Sequence, residues 1–137
     1  PELKNYLVNF ARSFIYTTGL SPHSVATILV AYQQLEIQKE TIVKLKENIN
    51  HFNQEKSMLG LKPLFVRSKS SIQSAIIPGN ENVKNIAKQL QEQGFNVKAI
   101  LSPTVPEGQE RLRICLHSYN SEEEITAVLQ NLANLLF

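Results

Sequence analysis

Residues 103–116 read PTVPEGQERLRICL, a proline-bracketed loop followed by a run of alternating side chains. The alternation predicts a β-strand over residues 110–116, because successive side chains of a strand point to opposite faces. The aliphatic set would face a helical layer, and Arg111 and Arg113 would share the opposite face. A guanidinium group offers paired N–H donors that fit a carboxylate or a phosphate. The strand is therefore a candidate anion-binding site, although the spacing by itself fits a solvated sheet face better.

The segments around this strand indicate the fold class. In chain order we first predict a helix from residue 2 to about 14 and a long helix from 21 to about 52, with a bend at 38–39. Strands at 62–66 and 72–77 follow, and then a helix capped by Asn80 and stopped by Gly94. The chain ends with strands at 95–101 and 110–116 and a last helix opened by the capping box Ser121-Glu122-Glu123-Glu124. Strands joined by short loops pair antiparallel. We therefore predict an α+β fold: a two-layer domain whose small, mostly antiparallel sheet of three to four strands has helices on one face and is preceded by a long helix.

The composition excludes several classes of function. The net charge is only +2, and the basic residues are scattered among acidic ones, which argues against nucleic acid as a partner. No apolar run is long enough to span a bilayer, so we expect no membrane partner. The single cysteine, Cys115, cannot form an internal disulfide, which favours a cytoplasmic location, and we expect it to be a small core residue. The histidines lack the spacing of metal ligands; they are His23, His51 and His117.

A second candidate site lies in residues 16–22, which read YTTGLSP. Ser21 followed by Pro22 predicts a helix start, because serine caps the first turn and proline is tolerated there. The hydroxyls of Thr17 and Thr18, beside a helix N-terminus, could bind a phosphate. On composition alone, the stronger interpretation is that these Ser and Thr residues only cap the long helix.

Taken together, four segments resemble those of a known enzyme family. They are FARSFIYTT at 10–18 with Pro22 after it, SIQ at 71–73, PTVPEG at 103–108 and ERLRI at 110–114. In this order they are similar to the segments that follow the cofactor-binding lysine in the α-oxoamine synthases. The resemblance extends over essentially the whole chain.

The resemblance implies a cytoplasmic, homodimeric pyridoxal-phosphate enzyme of fold type I that condenses an acyl-CoA with an amino acid and releases carbon dioxide. The motifs look most like those of the members that join alanine to pimeloyl-CoA, or to pimeloyl carrier protein, in biotin synthesis. Members that make 2-amino-3-oxobutyrate or 5-aminolevulinate remain alternatives. A stand-alone ligand-binding or dimerisation module is the alternative from a different class.

The resemblance also implies roles for single residues. Arg113 matches the arginine that pairs with the carboxylate of the amino-acid substrate, and Thr104 would line the substrate side of the proline-bracketed loop. Thr17 and Thr18 match the position that reaches the cofactor phosphate from the neighbouring subunit. Several homologues of the biotin pathway have an arginine just before the loop, where this chain has Leu-Ser at 101–102. Any substrate contact made by that arginine is therefore not expected here.

Two regions follow from the resemblance. Residues 1–20 match the tail of the family's large, cofactor-binding domain, and residues 21–137 match its C-terminal small domain. The lysine that holds the cofactor lies upstream in the family, so we expect this chain alone to bind no pyridoxal phosphate covalently and to be inactive. We expect the lysines of the long helix to face solvent and not to replace it; they are Lys39, Lys44, Lys46 and Lys56.

Overall fold

The computed structural model describes residues 1–137, which form two compact units, Pro1–Lys39 and Glu40–Phe137. Six α-helices and one three-stranded antiparallel sheet make up the regular structure, which confirms the predicted α+β class. None of the helices combines the length and the apolar character that crossing a membrane requires.

The first unit is helical. Its helices are α1 (Glu2–Phe10), α2 (Arg12–Ile15) and α3 (Pro22–Ile37). The helix predicted over residues 2–14 is interrupted at Ala11, whose backbone is extended with φ −87° and ψ 107°. α3 begins as predicted: the Ser24 N–H donates to Ser21 Oγ at 3.2 Å, and Pro22 occupies the first turn. α3 ends at Ile37, so the predicted long helix is interrupted at Gln38.

A small sheet organises the second unit. The elements from Lys39 onward are α4 (Lys39–Met58), a 3-10 turn (Lys62–Leu64), β1 (Ile72–Ile76), α5 (Asn80–Glu92), β2 (Lys98–Ile100), β3 (Arg111–Cys115) and α6 (Glu122–Leu136). The strand order is β1-β3-β2, and both pairs are antiparallel. The strand that carries both arginines is therefore the central one.

One hydrophobic core lies between the sheet and its helices. The buried side chains of α5 are the predicted set, and those of α6 share the same spacing; they are Val83, Ile86, Ala87 and Leu90, then Ile125, Val128, Leu129 and Leu132. Ala75, Leu112 and Ile114 of the sheet belong to the same cluster. The predicted capping box opens α6, since Ser121 and Glu124 each accept the other's backbone N–H. The other face of the sheet stays accessible.

The prediction of a strand at residues 62–66 is wrong. This segment forms the 3-10 turn instead, and only Phe65 makes an isolated bridge, to Ala75. Pro63 accounts for the difference, because proline fixes φ and has no N–H to donate to a ladder.

The strand predicted at residues 95–101 is present but shorter, because β2 spans only Lys98–Ile100. Val97 stays outside the ladder. Its N–H donates to the Phe95 carbonyl at 2.9 Å, and its carbonyl accepts from the side chain of Gln91 at 2.8 Å. β2 therefore stops before it reaches Cys115 of the longer β3, which leaves one edge of the central strand open there.

Three side chains differ from the expectation. Asn80 is not the cap of α5: Gly79, with φ 93°, occupies that position, and Asn80 is the first helical residue. Cys115 is exposed rather than in the core, because the odd-numbered residues of β3 point away from the helices. Lys56 is only 6% exposed, although lysines on this helix were expected to face solvent.

Candidate functional site

Arg113 lies at the centre of the accessible face of the sheet. Its neighbour on β1 is Ser74, and its neighbour on β2 is Lys98. Arg113 and Lys98 are exposed, and Ser74 is half-buried. The core side of β3 holds the buried Leu112 and Ile114. The predicted division of the strand into an aliphatic face and a guanidinium face is therefore confirmed.

The accessible face carries positive charge without a counter-charge. Its charged residues are Lys98, Arg111 and Arg113, and no acidic residue occurs in the three strands. None of the four ion pairs in the chain includes these three cations. Arg111 Nε donates to the carbonyl of Gln109 at 3.1 Å, which directs this guanidinium towards the preceding loop. Arg113 is thus the arginine that remains available to a ligand.

The side chain of Asn80 holds the proline-bracketed loop against α5. Asn80 Oδ1 accepts the Ser102 N–H at 2.9 Å, and its Nδ2 donates to the Ser102 carbonyl at 3.3 Å. Within the loop, the Val105 N–H donates to the Leu101 carbonyl at 3.2 Å. Thr104 is exposed on this fixed turn. A polar ligand can therefore reach its hydroxyl without any rearrangement of the loop.

Glu110 joins the same loop to the start of α5. Its carboxylate is almost fully buried, and Oε2 accepts the N–H of Gly79, the N-cap residue of α5, at 2.9 Å. This hydrogen bond holds the pKa of Glu110 below its usual value of 4.5. The alternation of side chains along the predicted strand could have indicated that Glu110 is buried, because Glu110 lies on the same face as Leu112.

A groove of about 660 Å³ lies beside the open edge of β3. Lys98 and Arg113 line it together with the exposed Cys115, and the rings of His117 and Tyr119 stack at 4.8 Å along it. Its volume lies within the range of about 300–1,000 Å³ that is usual for small-molecule sites. The groove exists because β2 ends before Cys115, and no local pattern of residues predicts that end.

The side chain of Asn48 in α4 holds the backbone that follows β3. Asn48 of α4 donates through Nδ2 to the carbonyls of His117 and Asn120, both at 2.9 Å. Asn120 Oδ1 in turn accepts the His117 N–H at 2.8 Å. These bonds hold the segment that carries His117 and Tyr119 in place.

The two threonines that were predicted to contact a phosphate lie in the first unit. Thr17 and Thr18 are exposed in the segment between α2 and α3. The start of α3 is capped by Ser21, not by either threonine. Both hydroxyls therefore remain accessible to a phosphate.

Lys56 is the buried lysine of the chain, and its ammonium already has partners. Its Nζ donates to Asn53 Oδ1 at 2.7 Å and to Gln73 Oε1 at 3.3 Å. It lies 5.4 Å from the ring centre of Phe52 and 5.0 Å from that of Phe65. The amine is therefore already engaged by groups of the chain itself. No group of three metal-binding side chains occurs in the chain either.

Residues 1–132 match the family described as aminotransferase class I and II. The chain belongs to this family. The 8-amino-7-oxononanoate synthase of Emericella nidulans is 38% identical over 144 residues, which cover 98% of this chain and 34% of that protein. The chain thus spans about a third of the length of this curated relative.

Solved structures share the fold. The crystal structure of 8-amino-7-oxononanoate synthase from Francisella tularensis superposes with a TM-score of 0.79 at 28% identity, covering 98% of this chain and 39% of that chain. A serine palmitoyltransferase variant from S. paucimobilis, with a bound PLP–myriocin aldimine, gives a TM-score of 0.77 at 21% identity, covering 96% of this chain and 33% of that chain. The similarity to the 8-amino-7-oxononanoate synthases confirms the resemblance to the α-oxoamine synthases.

Proposed function

We propose that this chain is the C-terminal, substrate-binding part of a pyridoxal-phosphate-dependent synthase of the 8-amino-7-oxononanoate type. Residues 1–20 would belong to the cofactor-binding domain and residues 21–137 to the small domain. The enzyme would be a cytoplasmic homodimer that joins alanine to pimeloyl-CoA or pimeloyl carrier protein. The observation that carries the proposal is Arg113, an uncompensated guanidinium at the centre of an accessible sheet face in a chain of this family.

Arg113 binds the carboxylate of the amino acid in this proposal. A guanidinium holds a carboxylate through two parallel hydrogen bonds, so it fixes the orientation of the α-carbon as well as its position. β3 is the central strand and is paired on both sides, which restricts movement of the Arg113 backbone. Thr104, on the adjoining loop, contacts the same substrate from the side of the loop.

The residues of this chain fit only one part of the cofactor, its phosphate group. Pyridoxal phosphate would supply an electron sink for the carbanion at the α-carbon. Thr17 and Thr18 would donate hydrogen bonds to the phosphate across the dimer. The amine of Lys56 is engaged by Asn53 and Gln73 and is a poor site for covalent attachment. We expect the chain alone to be inactive.

The full-length synthase that the proposal implies provides the direct test. Arg113→Ala should raise the KM for alanine about 10- to 150-fold, because a hydrogen bond to a charged group contributes about 1.5–3 kcal/mol. Arg113→Lys should recover part of the loss, since it keeps the charge but not the paired donors. Lys46→Ala, which removes an exposed cation on α4, is the control and should leave the KM unchanged. An unchanged KM in Arg113→Ala would show that this arginine does not bind the substrate carboxylate.

Two further measurements test the remaining parts of the proposal. Glycine and serine, offered to the full-length synthase in place of alanine, distinguish it from other α-oxoamine synthases. The 137-residue chain, mixed with pyridoxal phosphate, should show no stable imine absorption band. A band that borohydride traps on a lysine of this chain would contradict the expected inactivity.

A further inference from the structure

Lys98 lies directly across from Arg113 in the sheet. The Ile77 N–H donates to the Glu110 carbonyl, and the Leu116 N–H donates to the Ser71 carbonyl, so the even-numbered residues of β3 bond to β1. The odd-numbered residues therefore bond to β2. Arg113 and Lys98 are thus a hydrogen-bonded antiparallel pair, with Cα atoms about 5.5 Å apart and side chains on the same face.

Two like charges in this position repel each other. Cross-strand pairs of the same sign are destabilising, whereas pairs of opposite sign are stabilising. Neither cation has an acidic partner in the chain, and Ser74, the residue on the other side of Arg113, is uncharged. An anion placed between the two side chains would convert the repulsion into two attractions.

Both cations also line the same groove, beside the open end of β3. A ligand that enters this groove therefore meets the ammonium and the guanidinium together. Glu124 also lines the groove, but its carboxylate already accepts from the Ser121 N–H and from Asn120 Nδ2. Arg111, the third cation of the face, is directed to the Gln109 carbonyl and does not line the groove. Lys98 and Arg113 are therefore placed so that they can bind one anion together, whereas Arg111 bonds to the preceding loop.

We propose that Lys98 and Arg113 bind one carboxylate jointly, with Lys98 as a second, specificity-determining cation of the substrate site. The inference rests on the proposed function, which assigns only Arg113 to the carboxylate. The guanidinium supplies the paired donors, and the ammonium supplies a point charge that approaches the same oxygens from β2. An analogue whose carboxylate is replaced by an uncharged amide group, such as alaninamide, loses both interactions.

The test titrates the 137-residue chain with alanine and with alaninamide and follows backbone amide shifts of β2 and β3 by NMR. Lys98→Gln should weaken alanine binding about 1.4- to 5-fold, as expected for an exposed charge pair of about 0.2–1 kcal/mol. Lys98→Glu should weaken it further, because its carboxylate would occupy Arg113. Lys98→Arg should restore binding. Lys46→Gln, with the same change in net charge on α4, should bind alanine like the unmodified chain.

Several outcomes would overturn the inference. One is equal alanine affinity in the unmodified chain and Lys98→Gln, and another is the absence of any carboxylate-dependent shift at β2 and β3. Equal losses for alanine and alaninamide would show that Lys98 does not act through the carboxylate. If Lys98→Gln weakened the binding of inorganic phosphate but not of alanine, the site would be a phosphate site. The Arg113→Ala assay of the full-length synthase decides the proposed function separately, since it does not depend on Lys98.

Discussion

Lys56 stabilises the second unit, Glu40–Phe137, through contacts that a single substitution can isolate. Its ammonium donates to Asn53 and to the fully buried Gln73, and it lies near the rings of Phe52 and Phe65. Lys56→Met keeps an unbranched side chain of similar length but removes the donor. We expect the substitution to destabilise the domain although it makes this part of the core more apolar.

The expected loss in the free energy of unfolding follows from the groups that lose their partner when Lys56 is replaced. Gln73 Oε1 would lose its only donor in a buried position, which costs about 1–3 kcal/mol. Loss of the cation–ring contacts adds about 0.5–1 kcal/mol. Removal of a partly desolvated ammonium offsets some of this, because burial opposes the charged form. The expected net loss in the free energy of unfolding is about 1–2 kcal/mol.

A double substitution separates this explanation from simple loss of packing. Lys56→Met combined with Gln73→Leu removes both partners, and replacing both by apolar groups is nearly neutral. The carbonyl of Ser70, which accepts from Gln73 Nε2 at 2.8 Å, belongs to an exposed residue and can bond to water instead. Urea unfolding of the chain and its variants measures the effect. If the double variant is no more stable than Lys56→Met, the orphaned amide is not the cause.

The pH dependence gives a second measure of the same site. Burial, and then the charge of Lys62, lower the pKa of Lys56 from its usual value of 10.5. Between the folded pKa and 10.5 the unfolded chain binds more protons, so stability rises with pH in this interval. Lys56→Met should lack this rise. The same slope in both proteins, measured by urea unfolding across the alkaline range, would assign the rise to other groups.

Two further predictions concern the framework of the site. Glu110→Gln should remove a pH-dependent contribution to the free energy of unfolding. The lowered pKa of Glu110 stabilises the fold above pH 4.5, and this stability is lost as the pH falls through the folded pKa. The melting temperatures of the two proteins should therefore converge in acid, and parallel curves of melting temperature against pH would contradict this. Ser121→Ala should cost about 1 kcal/mol in urea unfolding because it removes the capping box of α6, whereas Ser118→Ala, in the preceding loop, should cost less; equal losses would argue against a capping effect.

The parts of the fold that could be predicted from the sequence are those that depend on neighbouring residues. The start of α3 and the capping box of α6 need only residues within one helical turn, and both are present as expected. The alternation of β3 likewise placed Arg113 on the face away from the core. Local chemistry was therefore sufficient for these two helix starts and for the orientation of the central strand.

The parts that could not be predicted depend on partners distant in the chain. Lys98 could be identified only from the register of β2 against β3, which no local pattern encodes. The burial of Lys56 depends in the same way on Gln73 and Phe65, which reach α4 from other elements. The chain turns just before β2, where the Val97 N–H donates to the Phe95 carbonyl, which accounts for the short strand. Each of these features arises from tertiary packing, so periodicity in one segment cannot predict it.

One face of β1 contributes to the stability of the second unit, and the other face contributes to the geometry of the candidate site. Gln73 points into the core and bonds to Lys56, and the next residue, Ser74, lies beside Arg113 on the accessible face. A slip of β1 by one residue would exchange these faces. It would take Gln73 away from Lys56 and leave the ammonium with one acceptor, Asn53. The Lys56–Gln73 hydrogen bond therefore favours the single register in which an uncharged serine, and not a larger amide, adjoins Arg113, and this keeps the guanidinium accessible to a carboxylate.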